Sequence, residues 1–153
     1  MKKIQDRKNL RKICAKLRKE GDKIVFTNGC FDIIHAGHVK YLEKAKKLGH
    51  VLIVGLNSDR SVSKIKPGRP VNNEKNRAAV LAALEMVDYV TIFNEATPYE
   101  LIKAVMPDVL VKGGDWKIKD IVGSDIAKKT CSLPYLKGFS TTGIIEKILK
   151  VSR

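Results

Sequence analysis

The sequence lacks any apolar run approaching the roughly 20 residues of a membrane-spanning helix, so no membrane partner is expected. Cysteine is scarce. Cys14, Cys30 and Cys131 form an odd set with no C-x-x-C pair and no metal-ligand spacing, which argues against a disulfide scaffold and for reduced thiols in a cytoplasmic protein. Aromatic residues are only 6% of the chain and do not interleave with basic ones as in an RNA-recognition motif. Acidic residues are also short, 16 against 30 Lys and Arg, which leaves a net charge of +14. Such an excess suits nucleic acid, a membrane surface or phosphorylated substrates. The lysines are dispersed, however, so much of the excess is solvation of helix faces of the kind that accompanies growth at high temperature, and a nucleic-acid-binding module is the remote alternative. The segment MKKIQDRKNLRKICAKLRKEG lacks the apolar stretch and cleavage site of a secretory signal, and Asp6 and Glu20 argue against a transit peptide.

What is present is 153 residues, 44% apolar and 30% charged, enough for one globular domain over 1–153 that buries roughly 70% of its unfolded surface. Leu10, Ile13 and Leu17 recur at helical spacing, making 1–21 a docking helix ahead of an α/β core over 22–153. Apolar strands are expected at 23–28, 51–57, 89–93 and in DVLVKGG, with a fifth near 132–136. Between them, Val39, Leu42, Ala45 and Leu48 mark a helix stopped by Gly49 as C-cap, while 58–72 is a basic loop. Asn72 or Asn73 caps a helix carrying Val80, Leu81, Leu84 and Val87, and Thr97-Pro98 opens another that ends before Pro107. A weaker helix is expected near 119–129, and a last one starts at Ser140 to Thr142 and runs through Ile144, Ile145, Ile148 and Leu149. Strands alternating with helices imply a Rossmann-like, doubly wound, five-stranded parallel sheet with helices on both faces. Ligands of such a sheet bind at the carboxyl ends of the strands, so the loops after the first, second, fourth and fifth strands should converge.

Two of the three histidines, His35 and His38, stand three apart in the turn after the first strand, TNGCFDIIHAGH. At a helix start, both rings and the free backbone N–H groups can face one point, which suits phosphate. Helix capping, two core histidines or half of a zinc site are the structural alternatives. Zinc would need more ligands than the nearby Cys30, and no metal ligand is assigned.

FTNGCFDIIHAGH resembles the G-x-F-D-x-x-H-x-G-H signature of the cytidylyltransferase-like nucleotidylyltransferases, and GFSTTGIIEKI (138–148) is similar to the segment that opens their last helix. Within them NSDRSV, GRPVNNEKNRAAVLAALEMVD and DVLVKGGDW most resemble the heptose 1-phosphate adenylyltransferase branch, often fused to a kinase, of which this chain would be a stand-alone form. The resemblance, from about Lys23 to Lys150, implies transfer of AMP from ATP to D-glycero-D-manno-heptose 1-phosphate, with Mg²⁺ arriving on ATP, by a homo-oligomer, in the simplest case a dimer. It implies catalytic roles for His35, His38 and Lys66, and nucleotide contacts from Thr27, Asn28, Gly29, Cys30, Phe31, Asp32 and Gly37 in the first turn. Further nucleotide contacts are implied for Asp59, Lys64, Arg77, Gly113, Asp115, Ser140, Thr141 and Thr142, and sugar-phosphate contacts for Lys112 and Trp116. Lys64, Lys66 and Arg69 also admit a reading as a solvated loop, and Asp115 and Trp116 as turn residues. Two segments depart from the glycerol-phosphate cytidylyltransferases: VKGGDW, and YLKGFSTT, where Tyr135 stands in place of an arginine. Glu85, in the helix after Asn73, stands where those enzymes resemble one another in carrying a basic residue, which favours ATP over CTP. Cytidylyl transfer to an alcohol phosphate, or adenylyl transfer to another phosphate, is the alternative.

Overall fold

In the computed structural model, which describes residues 2–153, five parallel strands form one sheet in the order β3-β2-β1-β4-β5. The strands are β1 (Ile24–Gly29), β2 (Val51–Asn57), β3 (Tyr89–Phe93), β4 (Val109–Gly113) and β5 (Lys129–Leu133). Winding runs outward from β1 to β3 and then reverses to β4, so the switch point lies between β1 and β4. The first four strands read as continuous apolar runs because both faces are covered. One face packs Ile24, Phe26, Ile53 and Leu110 against α1 (Arg7–Lys19) and α5 (Tyr99–Val105). The other packs Val25, Leu52, Val54 and Val111 against α2 (Ala36–Lys46) and α4 (Glu74–Ala83).

The docking helix α1 is capped by Asp6, whose Oδ1 accepts from Asn9 N at 2.7 Å, a cap worth about 1 kcal/mol. Leu10 and Cys14 are buried, Ile13 and Leu17 pack beside them, and burial pushes the Cys14 thiol up to about 11, far from a reactive thiolate.

Several expected boundaries move. The stretch 58–72 is not all loop: Ser58 accepts from Ser61 N at 3.1 Å and starts α3 (Asp59–Ile65). No α-helix fills 119–129. A single 3-10 turn spans Ile118–Asp120, and Gly123, at φ +90°, turns the chain where a β-carbon would fall 2.6 Å from Ile102 Cδ1. The fifth strand is set back to Lys129–Leu133. Gly49 is not a left-handed cap, since α2 closes on Lys47 in right-handed geometry; it sits where a β-carbon would strike Val25 and the Lys23 carbonyl. α4 is shorter than its apolar pattern: Val80 is exposed, and Leu84, Glu85 and Val87 lie past its end. The last helix, α6 (Thr141–Val151), starts at its expected cap, Ser140, yet buries none of its residues fully; Ile148 and Leu149 are more than half exposed.

Candidate active site

The carboxyl ends of the strands enclose a cleft of about 710 Å³ at the switch point. The loop after β3 contributes Ala96, Thr97 and Pro98, in addition to the four loops the topology nominates.

The H-x-G-H turn shapes one wall. His35 is the N-cap of α2, and its Nδ1 accepts from Gly37 N at 3.1 Å; His38 Nδ1 accepts more weakly from His35 N at 3.4 Å. The imidazoles stack with centroids 3.9 Å apart. Because each Nδ1 is an acceptor, each ring carries its proton on Nε2 and remains a donor while uncharged. Burial lowers the His35 pKa, and burial together with the His35 and Lys66 charges lowers that of His38 to about 4. The pair is both a cap and a two-donor platform, so capping does not compete with anion binding. Gly37 is obligatory for space, because a β-carbon there would lie 2.9 Å from the His35 ring and from Phe139 Cβ.

The preceding turn is strained and clamped. Phe31 adopts φ +44°, unusual for a bulky residue, and its ring lies where a β-carbon on Gly29 would meet it at 2.9 Å. Asp32 accepts from Val71 N and Asn72 N, each at 2.9 Å, and from Arg69 Nη1 at 3.3 Å. Burial would raise its carboxyl, but these donors outweigh it and hold it below the usual carboxylate range. Arg77 is fully buried and donates to Cys30 O at 2.5 Å, Asn72 O at 2.9 Å and Asp59 Oδ1 at 2.8 Å.

Of the residues nominated from sequence, His35, His38, Lys66, Asn28, Gly29, Cys30, Phe31, Asp32, Gly37, Gly113, Ser140, Thr141, Thr142, Lys112 and Trp116 all line the cleft. Five do not. Thr27 is buried behind it with its hydroxyl 2.5 Å from that of Tyr41; Lys64 is exposed on α3; Asp115 is exposed beyond Gly114; Asp59 and Arg77 are paired with each other. Glu85 also lies away from the cleft, in the turn before β3 at the amino end of the sheet.

Lys66 caps α3 at its carboxyl end and is exposed on the cleft rim. Lys112 is half-buried, 5.4 Å from the Trp116 ring; burial lowers its pKa, Cys30 opposes that, and Lys66 adds to it. Trp116 Nε1 donates to Gly113 O at 3.1 Å, and the Tyr135 ring covers Gly113 and Gly114 so closely that neither tolerates a β-carbon without movement. Ser140 Oγ accepts from Gly143 N at 2.9 Å, and Thr141 Oγ1 donates to Ile33 O at 3.4 Å, which ties the start of α6 to the start of α2.

Sequence reasoning left out Tyr41, Asn57, Arg69, Thr97, Asp120 and Phe139 from the lining. Thr97 was within reach, since every loop after a strand ends at the same rim; for Asp120 the sequence carries no signal. Among the described residues no three His, Cys, Asp or Glu side chains converge as a metal site, and Asp32 is consumed by its own donors. A divalent ion would therefore take most of its ligands from the substrate phosphates and water.

Comparison with known proteins agrees with this geometry. The family model described as "Cytidylyltransferase-like" matches residues 26–147. The bifunctional protein HldE of a Nitratiruptor species is 59% identical over 146 residues, 95% of this chain and 32% of the relative. HldE of Wolinella succinogenes is 56% identical over 95% of this chain and 31% of its own length. The chain thus spans about a third of the length of the curated relatives it matches. Among solved structures, a lipopolysaccharide core biosynthesis protein from Thermoplasma volcanium superposes with a TM-score of 0.67 at 29% identity, covering 76% of this chain and 100% of that one. The pantoate-beta-alanine ligase of Francisella tularensis, at 22% identity and TM-score 0.64 over 96% of this chain and 77% of that one, shares the fold. With the family model spanning most of the chain and the signature turn built at the switch point, the protein belongs to the cytidylyltransferase-like family.

Proposed function

We infer that the chain is an adenylyltransferase that transfers AMP from ATP to D-glycero-D-manno-heptose 1-phosphate, giving ADP-heptose and pyrophosphate. The observation that carries this is the pair of neutral, stacked imidazoles at the start of α2, tied to the start of α6 across a cleft rimmed by Lys66 and Lys112. A phosphate oxygen of the acceptor attacks the α-phosphorus, the bond to the bridging oxygen breaks, and pyrophosphate leaves. No side chain serves as nucleophile, and the acceptor phosphate is already an anion at neutral pH. The residues' task is to meet charge on the α-phosphoryl oxygens and the leaving group: His35 and His38 through Nε2–H, Lys66 through its ammonium, Ser140 to Thr142 through the N–H groups of the helix start. Mg²⁺ bound to ATP would supply charge neutralisation on the triphosphate. The heptose acceptor is supported by the likeness of NSDRSV and DVLVKGGDW to the heptose branch and by the identity to HldE. Glu85 gives no support to ATP over CTP, because it stands away from the cleft. The chain acts as one domain, in the cytoplasm, as a homo-oligomer; the uncovered apolar residues of α6 support an oligomer.

The test is pyrophosphate release with ATP or CTP across a panel of sugar 1-phosphates and glycerol 3-phosphate. The expected outcome is a kcat/KM at least tens-fold higher with ATP and the heptose 1-phosphate than with CTP. A preference for CTP would replace this assignment with cytidylyl transfer.

A further inference from the structure

The two walls of the cleft differ in chemistry, and strand alternation is the cause. Side chains along a strand point to opposite faces, and in β4 Leu110 belongs to the α1 and α5 face while Val111 belongs to the α2 and α4 face. The next residue, Lys112, therefore returns to the α1 and α5 face. In β1, Phe26 lies on the α1 and α5 face, so Asn28 does too. The histidines and the start of α6 stand on the other side, with α2. The cleft thus has a phosphate wall and, opposite it, a wall built from Asn28, Lys112, Pro98, Ile121 and Asp120.

That second wall is fixed to the body of the protein. Ile121 is buried in the core with α1 and α5, and Gly123 packs against Ile102 of α5. It also carries the one unused carboxylate of the cleft. The charged lining comprises Lys66, Arg69 and Lys112 against Asp32 and Asp120, and Asp32 is consumed by Val71, Asn72 and Arg69. Among the described residues the Asp120 carboxylate has no hydrogen-bond donor or ion-pair partner, and the Asn28 amide has no hydrogen-bond partner either. A free carboxylate disfavours phosphate beside it and accepts from neutral O–H donors, and two carboxylate oxygens match two neighbouring hydroxyls.

We propose that Asp120 and Asn28 form the subsite that reads the hydroxyl groups of the acceptor's sugar, with Lys112 holding its phosphate toward the histidines. This rests on the function proposed above. It makes Asp120 the residue that separates a polyhydroxylated sugar phosphate from a short alcohol phosphate, since the latter leaves the carboxylate without a donor.

The experiment measures kcat and both KM values of parent, Asp120→Ala and Asn28→Ala by pyrophosphate release, with heptose 1-phosphate and glycerol 3-phosphate as acceptors, and calorimetric binding of each acceptor. Asp120 is exposed, so truncation leaves the fold in place. Expected for Asp120→Ala is a KM for heptose 1-phosphate raised on the order of tenfold or more, an unchanged KM for ATP, and reduced discrimination against glycerol 3-phosphate. A loss that falls on ATP instead, or no change in sugar-phosphate KM or binding, overturns the subsite. A parent that prefers CTP but binds sugar phosphates through Asp120 sinks the adenylyl assignment alone, whereas a parent that binds no sugar phosphate overturns both.

Discussion

Gly37 lies against the ring of His35, with room for a hydrogen and none for a methyl: a β-carbon would stand 2.9 Å from His35 Nδ1 and equally close to Phe139 Cβ. The glycine of H-x-G-H therefore sets the position of the first histidine. Gly37→Ala is expected to lower kcat by about a hundredfold, the scale of losing one transition-state donor, with a fall in melting temperature of only a few degrees. Unchanged turnover in that variant would show that His35 has slack to move.

The proposed function has the histidines act as neutral donors, and pH separates this from an imidazolium role. With the His38 pKa near 4, only about one molecule in a thousand carries that charge at pH 7. We expect kcat/KM to stay nearly flat from pH 7 to 9, above the second ionisation of the substrate phosphates. A tenfold fall per pH unit across that range would show that the charged ring is required. Stability should move the other way: between the ordinary value of 6.5 and about 4 the unfolded chain takes up a proton that the folded chain refuses. Melting temperature should therefore drop as pH falls through that window, less steeply in His38→Asn.

Lys66 and Arg77 carry different implied roles, catalytic and nucleotide-binding, and occupy opposite environments. Lys66→Ala removes an exposed side chain and should change stability by less than about 0.5 kcal/mol while reducing turnover at least tenfold. Arg77→Ala strips donors from two carbonyls and Asp59, so it should cost about 3 kcal/mol, roughly 10 °C in melting temperature. Thermal melts and pyrophosphate release on both variants check this; equal melting temperatures would refute it.

Gly49 supports packing at a distance from the chemistry. A β-carbon there would fall 2.6 Å from Val25 Cγ2 and 2.7 Å from the Lys23 carbonyl oxygen, which belongs to the backbone and cannot swing aside. Gly49→Ala should destabilise by about 2 kcal/mol in denaturant titration with kcat of the folded enzyme unchanged. A neutral effect on stability would mean that the α2 to β2 turn shifts freely.

The central strands and the phosphate turn were legible because their signals are local: β1, β2 and β4 are apolar runs, and the histidines sit three apart beside a glycine. α3 was hidden because its short, mostly polar sequence reads as a loop and its signal is a single cap at Ser58. The opposite error occurred at 119–129, where Ile121, Val122 and Ile126 mimic a helical face although Gly123 must turn to let Ile102 in. β5 pairs with β4 alone and shows no apolar run, so its bounds were misplaced by about three residues. Asp59 and Arg77 belong to signature segments, yet only their contacts show that they serve the turn from behind. Asp120 lay beyond sequence reasoning, because its place depends on the α5 core and not on any neighbour in the chain.

Asp32 has a mechanical consequence. The excursion from β2 to α4 is held at its start by the Ser58 cap and near its end by the grip of the Asp32 carboxylate on Val71 and Asn72. It is a strap buckled at both ends, and Lys66 lies between the buckles. In the proposed reaction a short tether of this kind would hold the lysine near one place from turnover to turnover and limit the distance it must search.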